Sequence, residues 1–140
     1  MTTATTANTT PAGPGWRTFF LIAALYDIVL GIGFFFLYGP LFATFDIALP
    51  NNTSYIHLTA AFVFVQGLGY WLVYKDAPAN LGIVKLGIVY KAIFAGLAFF
   101  YLAIGQLLHP AFLVFGVADL GFLIGFVMFL RETSERPAAA

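Results

Sequence analysis

Four stretches of about 20 mostly apolar residues, separated by short runs rich in Pro, Gly and Asn, occupy most of this 140-residue chain. A helix rising about 1.5 Å per residue needs that length to cross roughly 30 Å of hydrocarbon, where every backbone polar group must be satisfied inside the segment. The spans fall at 18–38, 56–74, 81–104 and 111–130. Gly39-Pro40 and Pro50-Asn51-Asn52-Thr53-Ser54 mark the first break, Asp76-Ala77-Pro78-Ala79-Asn80 the second, and Gly105 to Pro110 the third. A membrane barrel needs segments of about ten residues alternating apolar and polar, a pattern absent from runs such as FFFL or FLIGFVMFL. The expected fold is all-α and integral to the membrane: an antiparallel bundle of four transmembrane helices.

Composition points the same way. With 61% hydrophobic and 9% charged residues, 17 Phe, 7 Tyr and 2 Trp, the chain has more apolar surface than so short a water-soluble fold can hide. Six basic residues balance six acidic ones and form no run, which argues against a nucleic-acid partner. The absence of Cys excludes disulfides, thiolate nucleophiles and Cys-based metal centres. Residues 1–16, MTTATTANTTPAGPGW, lack the charged and apolar regions of a secretory signal and are expected to form a disordered arm. The transmembrane domain is expected over 17–131, followed by a cytoplasmic tail over 132–140.

Arg17, Lys75, Lys85, Arg131 and Arg136 lie on or near the side holding the N-terminus, the second loop and the C-terminus. Retention of Lys and Arg on the cytoplasmic side orients the chain in the cell membrane with both termini inside. Trp16, Trp71 and Tyr74 then mark the inner interface and Tyr38, Tyr55 and Tyr101 the outer one. Lys85, one turn into its span, can snorkel to the inner head groups and carries no functional weight.

Each span has one polar residue near its middle. Asp27, Gln66, Lys91 and Asp119 all fall within roughly 3 Å of their span centres at about 1.5 Å per residue. A charge at that depth costs at least about 2.5–3.5 kcal/mol, so these groups must face the bundle and one another, with Lys91 partnering both carboxylates. Ala23 and Gly31 flank Asp27, Gly87 and Ala95 flank Lys91, and Gly116 precedes Asp119, which places small and polar residues on one close-packing face; Gly121 and Gly125 extend it. Two carboxylates against one ammonium leave a net negative charge, so a shared proton is expected, with one of the two carboxylates neutral at pH 7. Tyr26 and Tyr90, about 100° round the helix from Asp27 and Lys91, are expected to border this centre with their hydroxyls in structural hydrogen bonds; Tyr70 either joins Gln66 or belongs to the inner interface.

The centre has three readings: a structural lock that fixes helix register, a binding or proton-linked site, because ionisable groups inside spans commonly mark such paths, or a centre completed by a further charge from a partner helix. His57 and His109, both on the outer side, supply too few ligands for zinc and lie too shallow for a transverse haem, so no metal is expected. Asn51-Asn52-Thr53 and Asn52-Thr53-Ser54 match the glycosylation triplet, which is common by chance. Spans one and four share a short echo, Asp27 with Gly33-Phe34 and Asp119 with Gly125-Phe126, of the kind seen in inverted-repeat transporters.

The Gly-rich first span ending in Gly39-Pro40, the stretch Gln66-Gly67-Leu68-Gly69-Tyr70 and the Gly116-Val117-Ala118-Asp119 run lie in an architecture that resembles the DoxX-like family of small bacterial membrane proteins. The resemblance covers 18–130 and implies an accessory or membrane-anchoring subunit of a redox complex, with a quinone as the lipid-soluble ligand. Arg17 matches the basic residue expected early in the family's first span, whereas Tyr38-Gly39-Pro40 stands where a Lys is expected. The chain differs from four-helix sterol isomerases, which use membrane-embedded Glu, since Glu132 and Glu135 fall in the tail.

The leading expectation is thus a DoxX-like subunit whose polar centre, Asp27, Gln66, Lys91 and Asp119, supported by Tyr26, Tyr70 and Tyr90, holds a ligand such as a quinone. Its expected partners are the bilayer and either a redox complex or further copies of itself. The rival is a proton-coupled transporter working as a homo-oligomer. An intramembrane enzyme on a lipid or terpenoid substrate, with Asp27 or Asp119 as acid or base, comes third.

Overall fold

The computed structural model describes residues 12–135. They form α1 (Pro14–Phe36), the short α2 (Tyr38–Thr44), α3 (Ser54–Lys75), a single 3₁₀ turn at Pro78–Asn80, α4 (Leu81–Ala103) and α5 (Ala111–Glu135). No strand occurs among the described residues. The four long helices are each long and apolar enough to cross a membrane.

Helix ends follow from local chemistry. α1 begins at Pro14, four residues before the expected span, and takes up the last part of the arm expected over 1–16; residues 1–11 lie outside the described residues. Pro suits this first turn because its φ is already helical and its missing N–H has no intrahelical acceptor there. Trp16 anchors the turn by packing edge-on to Phe19 and Phe129 and donating from Nε1 to Glu132 Oε2 at 2.8 Å. That contact involves part of the expected tail, because α5 continues helically to Glu135.

The first connection contains a helix that apolar-span counting misses. Pro40 sits in the first turn of α2, where Pro is tolerated, so Gly39-Pro40 restarts a helix after Leu37 instead of opening a coil. Both α2 and α4 end by the same device. Asp46 (φ 52°) and Gly105 (φ 68°) adopt the left-handed conformation, and the following amides reach back, Ile47 N to Phe42 O and Gln106 N to Tyr101 O, each at 2.8 Å.

The helices are inside-out relative to a water-soluble protein. Their outward faces carry large apolar side chains such as Val29, Phe62, Leu86, Ile93 and Val114, each more than half exposed. The inward stripe of α1 is Phe20, Ala23, Ala24, Asp27 and Gly31, and that of α4 is Val84, Gly87, Lys91, Ala95 and Ala98. Apart from the adjacent Ala23 and Ala24, these positions recur every three or four residues, the spacing of one helix face. α1 is closely packed with α3, and α4 with α5. At Gly31 a Cβ would stand 2.7 Å from the Phe64 backbone nitrogen, and at Gly67 2.7 Å from that of Ile28, so only hydrogen fits at either place. Gly116 meets Ala98 in the other pair.

The ends of the bundle differ. Toward the start of α1, Phe20 stacks on Phe126 with 5.5 Å between ring centroids and meets Phe129 edge-on at 4.9 Å. Gly125 lies directly beneath the Phe19 ring. Gly121, expected on the same packing face, is exposed and has nothing near it, because four residues at 100° each leave it rotated by about 40° from Gly125. Gly33 is likewise open whereas Gly125 is covered, so the echo between spans one and four does not place matching residues in matching surroundings.

Replacing Gly67 by Val should lower stability by about 2 kcal/mol or more, since an added side chain must force α1 and α3 apart. Gly33→Ala should be neutral or slightly stabilising, as a Cβ there meets nothing within 4 Å. Unfolding of the two variants in detergent micelles, compared with the parent chain, checks the contrast.

Candidate functional site

α1, α4 and α5 each contribute one charged side chain to a single buried cluster. Lys91 Nζ donates to Asp27 Oδ1 at 2.8 Å, to Asp27 Oδ2 at 3.0 Å and to Asp119 Oδ1 at 2.8 Å. Three ammonium hydrogens thereby meet three carboxylate oxygens. Lys91 and Asp27 are 1% exposed and Asp119 4%. Leaving water costs each ion several kcal/mol, and only short, well-directed contacts of this kind offset it.

The rest of the Lys91 surroundings are aromatic. Nζ lies 5.2 Å from the ring centroids of Tyr26 and Tyr90, 5.5 Å from that of Phe122 and 5.7 Å from that of Tyr70. Ring faces carry negative quadrupole density and attract an ammonium most strongly where water is excluded.

Of the expected centre, the fold brings Asp27, Lys91 and Asp119 into direct contact. Gln66 stands one step away: its Nε2 donates to the Tyr70 hydroxyl at 3.1 Å, and it makes no hydrogen bond to the charged trio among the described residues. The reason is geometric, because the buried stripe of α3 runs through Gly67 and Tyr70, leaving Gln66 at its edge and half-buried. Tyr70 is fully buried, which places it with Gln66 inside the bundle and not at an interface. It fits there because Gly87 opposite has no side chain; a Cβ on Gly87 would lie 2.8 Å from the Tyr70 hydroxyl oxygen. Tyr26 and Tyr90 border the centre as expected, but with their ring faces; neither hydroxyl finds a protein hydrogen-bond partner among the described residues.

Beside the trio is a cavity of about 350 Å³ that the sequence did not disclose. Tyr26, Asp27, Tyr90 and Asp119, from the middles of their helices, form its polar end. One or two turns along, Leu30, Phe34, Phe94, Phe112 and Phe115 make its walls. Phe42 of α2 and Tyr55 of α3, with Ala48, Pro50 and Leu108 from the connections, border the far end. Lys91 does not line it, so the carboxylates stand between the ammonium and the open space. An apolar chamber with a few convergent polar groups at one end is the usual form of a small-molecule site.

The histidines are engaged separately. His57 packs on Phe35 and Tyr38, while His109 Nδ1 accepts a hydrogen bond from Ala111 N at 3.1 Å. No group of three or more His, Cys, Asp or Glu suited to a metal ion occurs among the described residues. No protein-family model, curated protein or solved structure matches the chain.

Lys91→Met leaves two carboxylates facing each other without a cation and should cost about 3–5 kcal/mol. The triple substitution Asp27→Asn, Lys91→Met, Asp119→Asn removes the uncompensated charge and should recover most of that loss. Denaturant unfolding of the single and triple variants in the same detergent measures both.

Proposed function

We propose that the chain is a small multi-pass protein of the cell membrane, DoxX-like in type, whose four long helices form an antiparallel bundle with both termini cytoplasmic. It acts as an accessory subunit holding a lipid-soluble ligand such as a quinone. The observation that carries this reading is the cavity of about 350 Å³ with aromatic walls and Asp27, Asp119, Tyr26 and Tyr90 at one end. Its size suits a ring compound, and its walls match the lipid phase from which such a ligand arrives.

Contact order along the helices supports the antiparallel arrangement. Gly31 lies against Phe64, whereas Gly67 lies against Ala24 and Ile28; Ala98 meets Gly116, whereas Lys91 meets Asp119. In both pairs residue numbers rise on one helix as they fall on the other. The positive residues Arg17, Lys75 and Arg131 then share one end of the bundle, which supports placing that end inside.

Since the chain has no Cys, single cysteines report topology cleanly. Asn51→Cys should react with an impermeant maleimide added to intact cells, and Ser134→Cys only after the cells are opened; the reverse pattern overturns the orientation. For the ligand, a short-chain benzoquinone titrated into the purified protein in nanodiscs should bind saturably. Val63→Trp, which fills the cavity, should weaken binding by about tenfold or more, whereas Val89→Trp on the outward face should not. Equal binding by both variants removes the cavity from the reading.

A further inference from the structure

The four carboxylate oxygens of the charged cluster are not equivalent. Lys91 occupies both oxygens of Asp27 and only Oδ1 of Asp119. Asp119 Oδ2 accepts no protein hydrogen bond among the described residues, although the residue as a whole is 4% exposed. No fully buried side-chain nitrogen or oxygen among the described residues lacks a partner, so Oδ2 is reached from the space that Asp119 lines, which is the cavity. A charged oxygen left facing an apolar chamber is costly unless something that enters the chamber bonds to it.

The geometry points to Asp119 Oδ2 as the atom that contacts a ligand hydroxyl, so that the cavity selects a neutral ring compound with a free O–H over its carbonyl or ether counterpart. This deepens the proposed ligand-binding role and rests on it. A hydroxyl donates to a carboxylate and accepts from a carboxylic acid, so it pairs with Oδ2 whether or not that oxygen is protonated. A carbonyl or ether oxygen accepts only, and pairs with Oδ2 only when that oxygen holds the proton. Tyr26 and Tyr90 also line the cavity, and their hydroxyls, without protein partners among the described residues, can donate or accept and so suit a second hydroxyl. Asp27 also lines the cavity, but both of its oxygens are already engaged by Lys91, which makes it the weaker acceptor of the two carboxylates.

Three probes of one ring separate the possibilities: tetramethylhydroquinone, tetramethylbenzoquinone and the dimethyl ether of the hydroquinone. Each is titrated calorimetrically, without oxygen, into the full chain in nanodiscs and into the Val63→Trp and Asp119→Asn variants. The hydroquinone should bind about tenfold or more tighter than the other two, the equivalent of one charge-assisted hydrogen bond. In Asp119→Asn that preference should fall to within about threefold while benzoquinone binding is kept. If benzoquinone binds as tightly as hydroquinone and Val63→Trp blocks both, the hydroxyl assignment fails and the cavity reading stands. If none of the three binds, or Val63→Trp leaves binding unchanged, both fail. Should Asp119→Asn not fold, the ranking of the three probes on the parent chain decides.

Discussion

The contacts of one ammonium group tie the bundle together. Lys91 on α4 holds Asp27 on α1 and Asp119 on α5 with three hydrogen bonds of 2.8 to 3.0 Å. The close backbone packing is within pairs, α1 with α3 through Gly31 and Gly67, and α4 with α5 through Gly116. Between the pairs the connection is made by long side chains: the Lys91–Asp27 ion pair, Tyr70 over Gly87, and Phe20 stacked on Phe126. Apolar surroundings supply no competing water, so the ion cluster is short-range, directional and intolerant of losing one member.

The position of the cluster also divides the interior. On one side, toward the start of α1, rings fill the space: Phe19, Phe20, Phe126 and Phe129 contact one another in edge-on and stacked geometries. On the other side the walls are also aromatic, but Phe34, Phe94, Phe112 and Phe115 surround open volume. α2 and the chain through Pro50 lie at the end of that volume, which gives the short helix after Leu37 a role in shaping the cavity. The polar end is lined by carboxylates and not by the ammonium, so the few polar atoms this apolar chamber presents there are oxygens.

Much of the packing face can be read from residue spacing. Ala23, Gly31, Gly87, Ala95 and Gly116 flank the charged residues at one-turn intervals, and all five are buried. Gly121 follows the same rule of small residues but faces outward, because composition marks a small residue without saying which neighbour is close enough to need it. Gln66 shows a similar limit. Its depth in the chain matches that of Asp27 and Lys91, yet a 100° turn separates it from the buried Gly67, so its amide meets Tyr70 instead of the ions. The Tyr26 and Tyr90 rings, expected to contribute hydroxyls, place their faces 5.2 Å from Nζ while both residues also line the cavity.

Sequence alone determined the helical class, the number of long apolar helices and the one residue in each that has to find a polar partner. Those properties follow from local rules: backbone hydrogen bonds must close within a segment in an apolar solvent, and an ion there must be paired. Tertiary structure alone decided that Lys91 takes both oxygens of Asp27 but one of Asp119, that Gln66 is spent on Tyr70, and that a chamber opens beside the carboxylates. These depend on how helices far apart in the chain rotate and approach one another, a matter of a few tenths of an ångström at glycines such as Gly31 and Gly67 that no periodicity along one helix encodes.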